Sequence, residues 1–190
     1  MRRIDIDERR SRLARRHHLA PDARATSVAE AARDLVGLHG SDPASVYLAV
    51  LARMAPGDPG ADPAAIGRAL YEERSVVRML GMRRTMFVEP LDLVPIVHAA
   101  SARDNAAKQR RATLKMIANA GIADDPAAWL DEVKAETLAA LSRLGEATAN
   151  ELTAHVPRFR EQILFGEGKK WQGTIGISTR VLFELAAEGR

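Results

Sequence analysis

The chain has no cysteine, which excludes disulfides and thiolate-held metal centres and suits a reducing compartment, so a cytoplasmic location is expected. Aromatic residues make up only 4% of it, against 46% hydrophobic residues in all. Its core must therefore be largely aliphatic, and the abundance of Ala, Leu, Arg and Glu favours helices over an all-β fold. No apolar run is long enough to span a bilayer, and the basic N-terminus has no signal-peptide core, so no membrane partner is expected. Also missing are a phosphate-loop glycine pattern, a nucleophile elbow and a zincin motif, which leaves ATPase, dinucleotide-enzyme, serine-hydrolase and metalloprotease chemistry without support. The adjacent pair His17 and His18 is expected at a solvent-facing helix end, with no third ligand set by spacing. Neither a metal nor a cofactor is expected.

What is present is uneven charge. The net charge is only +3, yet Arg2, Arg3, Arg9, Arg10, Arg12, Arg15 and Arg16 crowd the first turns. Arg103, Lys108, Arg110, Arg111 and Lys115 form a second group, and Lys169 and Lys170 a third. Each group is either a phosphate-binding surface or a solvated helix face.

Helix starts are legible along the first half. Asp5 and Asp7 favour a helix over residues 6–19, ended by Pro21. Ser27 and Glu30 have capping-box spacing for a helix reaching about Leu38, with Val28, Ala31, Ala32, Leu35 and Leu38 on one face. Asp42-Pro43 and Asp62-Pro63 open two more, because Asp accepts from free N–H groups and Pro is pre-set for the first helical position. They are predicted over residues 43–54 and from 63 to near 74. Residues 75–88 then change period and predict a two-stranded ribbon bent near Gly81.

Between the second and third helices, residues 35–43 are predicted as a short non-helical bend. There His39 and Ser41 face the same space, and Gly40 leaves the backbone open. They are either a polar pair presented to a ligand or ordinary turn and capping residues. Asp42 either caps the next helix or assists electrostatically. Arg83 and Arg84, at the ribbon tip, either enter a DNA minor groove or simply solvate the ribbon.

Residues 91–120 are predicted helical as far as Gly121. Asp125-Pro126 opens a helix through Leu144, and Thr148 caps a short one bearing Leu152 and Val156, which is helix-turn-helix grammar. Residues 157–170 are mixed. Ser178 or Thr179 is then expected to cap a last helix over 180–187, in the recognition-helix position, with Lys169, Lys170, Ser178, Thr179 and Arg180 as DNA contacts. The expected fold is mainly α with a small β-hairpin wing (α+β), a tandem winged helix. Residues 1–90 form its first winged domain, 91–125 a helical connector, and 126–190 a second winged domain whose wing is missing. Continuation of the native chain past Arg190 is expected, and Val181, Phe183 and Leu185 are expected to be poorly covered.

Three stretches carry a resemblance: Gly37-Leu38-His39-Gly40-Ser41-Asp42-Pro43, residues 71–88 from Tyr71 through Gly81-Met82-Arg83-Arg84 to Val88, and Lys170-Trp171-Gln172-Gly173-Thr174-Ile175-Gly176-Ile177-Ser178-Thr179-Arg180. Together they resemble the tandem winged-helix proteins related to the AlkZ and YcaQ DNA glycosylases, over nearly the whole chain but only about the front half of a typical member. The resemblance implies binding of double-stranded DNA by several winged helices in a C-shaped arrangement. It also implies removal of alkylated purines, crosslinked ones included, by hydrolysis of the N-glycosidic bond. In those glycosylases the catalytic motif is glutamine, an apolar residue, then glutamine or aspartate; the matching positions here hold His39, Gly40 and Ser41. His39 and Ser41 are then expected to orient water, with Asp42 beside them, in a monomeric protein. The alternative expectation is a non-catalytic winged-helix DNA-binding protein or transcriptional regulator.

Overall fold

In the computed structural model, which describes residues 3–82, 85–166, 168, 170 and 172–190, the chain is mainly helical with two small antiparallel sheets. It is α+β, as expected. Arg83, Arg84 and Lys169 lie outside the described residues. The chain divides into two units, Met1–Ala102 and Arg103–Arg190. None of the described helices is long and apolar enough to cross a membrane.

In the first unit, α1 (Ile6–Arg16) starts on Asp5, whose carboxylate accepts from the Glu8 amide at 2.8 Å, and buries none of its side chains. It stops short of the predicted residue 19, at His17. α2 (Val28–Asp34) is capped by Ser27, which accepts from the Glu30 amide, and it buries Val28, Ala31 and Ala32. Glu30 reaches back to the Thr26 amide at 2.7 Å. α2 ends well before Leu38. Val36 donates to the Arg33 carbonyl and Gly37 to the Ala32 carbonyl, a Schellman closure with both residues at positive φ, 55° and 95°.

β1 (Leu38–His39) comes at once after this closure, where a bend was predicted. Two residues have no periodicity of their own, and the partner strand lies far along the chain. α3 (Pro43–Leu51) and α4 (Pro63–Gly67), which runs on as a π-helical turn over Arg68–Glu72, lead into β2 (Val76–Leu80) and β3 (Met86–Pro90). Gly81 sits at the ribbon bend, its amide donating to the Thr85 carbonyl. β3 is central in the order β1-β3-β2, with Leu38 opposite Val88 and Val76 opposite Pro90. Helix, strand, two helices, two strands is a winged-helix-like arrangement. Its core joins Ala32, Leu38, Val46, Val50, Ile66, Val76 and Val88. α5 (Val94–Val97), continued by a π-helical turn over His98–Ala102, completes the unit.

The second unit contains α6 (Arg103–Asn119), α7 (Pro126–Leu144), α8 (Ala149–His155), a hairpin of β4 (Gln162–Phe165) and β5 (Gly173–Gly176), and α9 (Ile177–Ala187). Asp125 and Thr148 cap α7 and α8 as predicted. The hairpin was not foreseen. β5 runs straight into α9, and the Ile177 amide donates to the Glu161 carbonyl at 2.9 Å. Gly176 is therefore the cap residue, and neither Ser178 nor Thr179 takes that role. Val181 and Leu185 are buried and Phe183 is half-buried, so these side chains are covered after all. The two buried ones join an apolar cluster with Ile117 of α6 and Ile163 of the hairpin, elements that close the core from sides the sequence left open.

A charged group is also sealed in this unit. Lys134 of α7, itself buried, donates to Glu188 and lies 3.8 Å from a carboxylate oxygen of Glu184. Glu184 is buried, and its desolvation pushes its carboxyl above the ordinary range. Removing one partner of such a set leaves a buried charge exposed to the full cost of desolvation. Lys134→Ala is accordingly expected to lower unfolding free energy by about 3–5 kcal/mol. The double replacement Lys134→Met with Glu184→Leu should cost much less, as measured by urea unfolding.

Candidate functional site

β1 and the turn after it are held by both β3 and β2. The Gly40 amide donates to the Met86 carbonyl at 2.7 Å, and the Met86 amide donates to Ser41 Oγ at 3.3 Å. The Ser41 side chain thus extends the ladder past the paired backbone. From β2, Arg78 donates through Nε to the Gly40 carbonyl at 2.8 Å. A Cβ on buried Gly40 would meet Val88 Cγ2 at 3.3 Å, so the close approach of β1 and β3 favours glycine there. Asp42 accepts from the Ala44 amide at 3.2 Å and opens α3, while the Ser45 hydroxyl donates to the Asp42 carbonyl at 2.6 Å.

The expected pair is therefore presented on a fixed edge strand and the turn just after it. His39 and Ser41 are both exposed. The His39 ring meets Phe87 edge-on, with centroids 5.6 Å apart. Among the described residues no hydrogen bond joins His39 to Ser41, so the two do not form a base–nucleophile pair. Ser41 Oγ accepts from the Met86 amide, which leaves its own proton free to donate outward. The Asp42 carboxylate serves as the helix cap.

A carboxyl that the sequence did not single out lies nearby. Glu89 stands two residues beyond Phe87 on β3 and so takes the same side of the sheet, opposite Val88 in the core. It is 1% exposed, and its Oε2 has no hydrogen-bond partner among the described residues. Room for it comes from Gly37, where any Cβ would overlap Glu89 Oε1. Burial pushes the Glu89 carboxyl up to about 7. The one sequence signal was an acidic residue inside the apolar run Phe87-Val88-Glu89-Pro90.

The second-unit candidates occupy the hairpin loop and the start of α9. Lys170 and Thr179 are exposed, Ser178 and Arg180 half-buried, and Arg180 Nε is buried without a partner among the described residues. Arg110, counted from sequence among the phosphate-binding candidates, forms a two-point ion pair with Asp131 at 2.7 and 2.8 Å. His18 also departs from expectation. It is buried, and it lies with Glu30 and Asp34 so that one ligand atom from each falls within 4.8 Å of the others.

A model of the family described as DNA glycosylase AlkZ-like matches residues 32–190. The chain belongs to the AlkZ-like family. No curated protein matches it, and neither does any solved structure. The family match begins within α2 of this AlkZ-like chain, so it includes β1, the ribbon and all of the second unit while leaving out α1 and His18.

Glu89 makes the stability of the AlkZ-like fold depend on pH. Its carboxyl titrates at 4.5 when unperturbed and at about 7 in the folded chain, so between those values the native state holds the extra proton. The contribution is complete below pH 4.5 and is lost as pH rises to about 7, with a total of about 3 kcal/mol at most. Unfolding midpoints across that range should fall for the parent chain and stay nearly level for Glu89→Gln.

Proposed function

We propose that this AlkZ-like chain binds double-stranded DNA through two winged units in tandem and releases alkylated or crosslinked purines by hydrolysing the N-glycosidic bond. The observation that carries the proposal is the placement of His39 and Ser41, exposed on a backbone held by Met86, Arg78 and the α3 cap. A purine alkylated at N7 is already a cationic leaving group, so the protein has chiefly to orient water and favour the positive charge that develops on the sugar. His39 offers a ring nitrogen and Ser41 an outward hydroxyl proton for that task. Each unit combines helices with an antiparallel hairpin, β2–β3 within the three-stranded sheet of the first and β4–β5 in the second, which supports the tandem architecture. Lys170 and Arg180, with Ser178 and Thr179 at the start of α9, supply backbone-phosphate contacts in the second unit.

One observation favours a second proposal, a DNA-binding protein without chemistry. The two carboxyl groups around β1 are both committed, Asp42 to a helix cap and Glu89 to a buried position. The readings separate on duplex DNA carrying N7-methylguanine. Under the first, the parent chain releases the base and His39→Ala lowers the rate at least about tenfold. Equal release from both proteins would sink the catalytic role of His39. Under the second, no abasic product forms, while DNA affinity still falls steeply with salt and weakens in Lys170→Ala.

A further inference from the structure

α1 carries Arg9, Arg10, Arg12, Arg15 and Arg16 but buries nothing, so its position depends on the turn beyond Arg16. The chain turns at His18, in left-handed conformation at φ 57°, and drops that ring against α2. His18 Nδ1 donates to the Ala23 carbonyl at 2.8 Å, since a carbonyl can only accept. This bond fixes the ring and directs Nε2 at Asp34 Oδ2, 2.8 Å away. Glu30, one helical turn before Asp34, brings a second carboxylate to the same place.

We propose that His18, Glu30 and Asp34 form a site for a divalent transition metal of the zinc class, which latches the arginine-rich α1 to the first unit. The ligand set is one imidazole and two carboxylates, matching the charge of a divalent ion when the imidazole is neutral. Ligands at about 2.0–2.2 Å from zinc in a tetrahedron stand roughly 3.4 Å from one another. The three ligand atoms here already lie within 4.8 Å, so small side-chain rotations close the set. The Nδ1 bond to a backbone carbonyl is the outer contact that orients a ligating histidine. Two of the nearby cations are already matched: Arg15 pairs with Asp22 at 2.6 Å and Arg33 with Asp92 at 2.9 Å. Asp34 is exposed and also lines an open pocket with Arg15, Arg16, Arg33 and Val36, so its carboxylate is reached from solvent. The carboxylate of Glu30 has one oxygen on Thr26, so the other is the one available to the ion.

The test uses the full chain, stripped with chelator and titrated with Co²⁺ and with Zn²⁺. One Co²⁺ per chain should bind with visible d–d absorption, and excess Zn²⁺ should raise the unfolding temperature by several degrees and slow amide exchange in α1. Asp34→Asn, at an exposed position that tolerates change, should weaken Co²⁺ binding at least about tenfold, as should His18→Ala. His17→Ala should bind Co²⁺ like the parent. Absence of the absorption band and of the thermal shift would overturn the site and leave His18–Asp34 as an ion pair alone. Undiminished binding in Asp34→Asn would equally overturn it.

Discussion

Val36 and Gly37 leave α2 through left-handed backbone, and the direction they impose decides where His39 and Ser41 end up. A β-branched residue at φ 55° is strained, and two Schellman hydrogen bonds together with the burial of Leu38 hold it there. Gly37 meets two demands at one position. Its φ of 95° favours glycine, and the space where a side chain would stand belongs to Glu89. The turn out of α2, the pairing of β1 with β3 and the buried carboxyl are therefore one constraint with three consequences.

The two units answer the same electrostatic problem in different ways. Glu184 is buried beside Lys134, so its charge has a counterion within the same sealed space. Glu89 is equally buried with no cation paired to it among the described residues, and it meets the cost by holding its proton to about pH 7. Near neutrality Glu89 is thus divided between a neutral and a charged form. Its field at β1 changes with pH, whereas the field of the Lys134 cluster in the other unit is tied to the packing of α7 and α9.

What was legible in the sequence was local. Ser27, Asp42, Asp62, Asp125 and Thr148 all accept from amides of the helices they open, because a cap is a contact across two or three residues. The first ribbon was legible for a similar reason, since period and bend lie within one short segment. β1 was not, because its only strand character comes from β3. The second hairpin was hidden by Gly173 and Gly176, which weaken the propensity of β5. At the site, spacing placed His39 and Ser41 beside a helix start but said nothing of Arg78, Phe87 or Glu89, which arrive from β2 and β3. His18 was hidden likewise, because its partners Glu30 and Asp34 sit on a helix that begins only after an intervening turn.

Orienting a water molecule asks for fixed groups more than for charged ones, and the edge of β1 is built to fix them. Ser41 cannot swing freely while its oxygen accepts from the Met86 amide, and the Phe87 ring limits the tilt of His39. Arg78 holds the carbonyl of the residue between them, so the backbone under the pair does not have to be ordered when DNA arrives. Under the proposed hydrolysis this pre-set geometry supplies the entropic part of the acceleration, while stabilisation of the developing sugar cation must come from another negative group. Asp42 is engaged at the α3 cap and Glu89 is sealed in the core, so the edge of β1 is built to position water while both of these carboxyls are committed elsewhere.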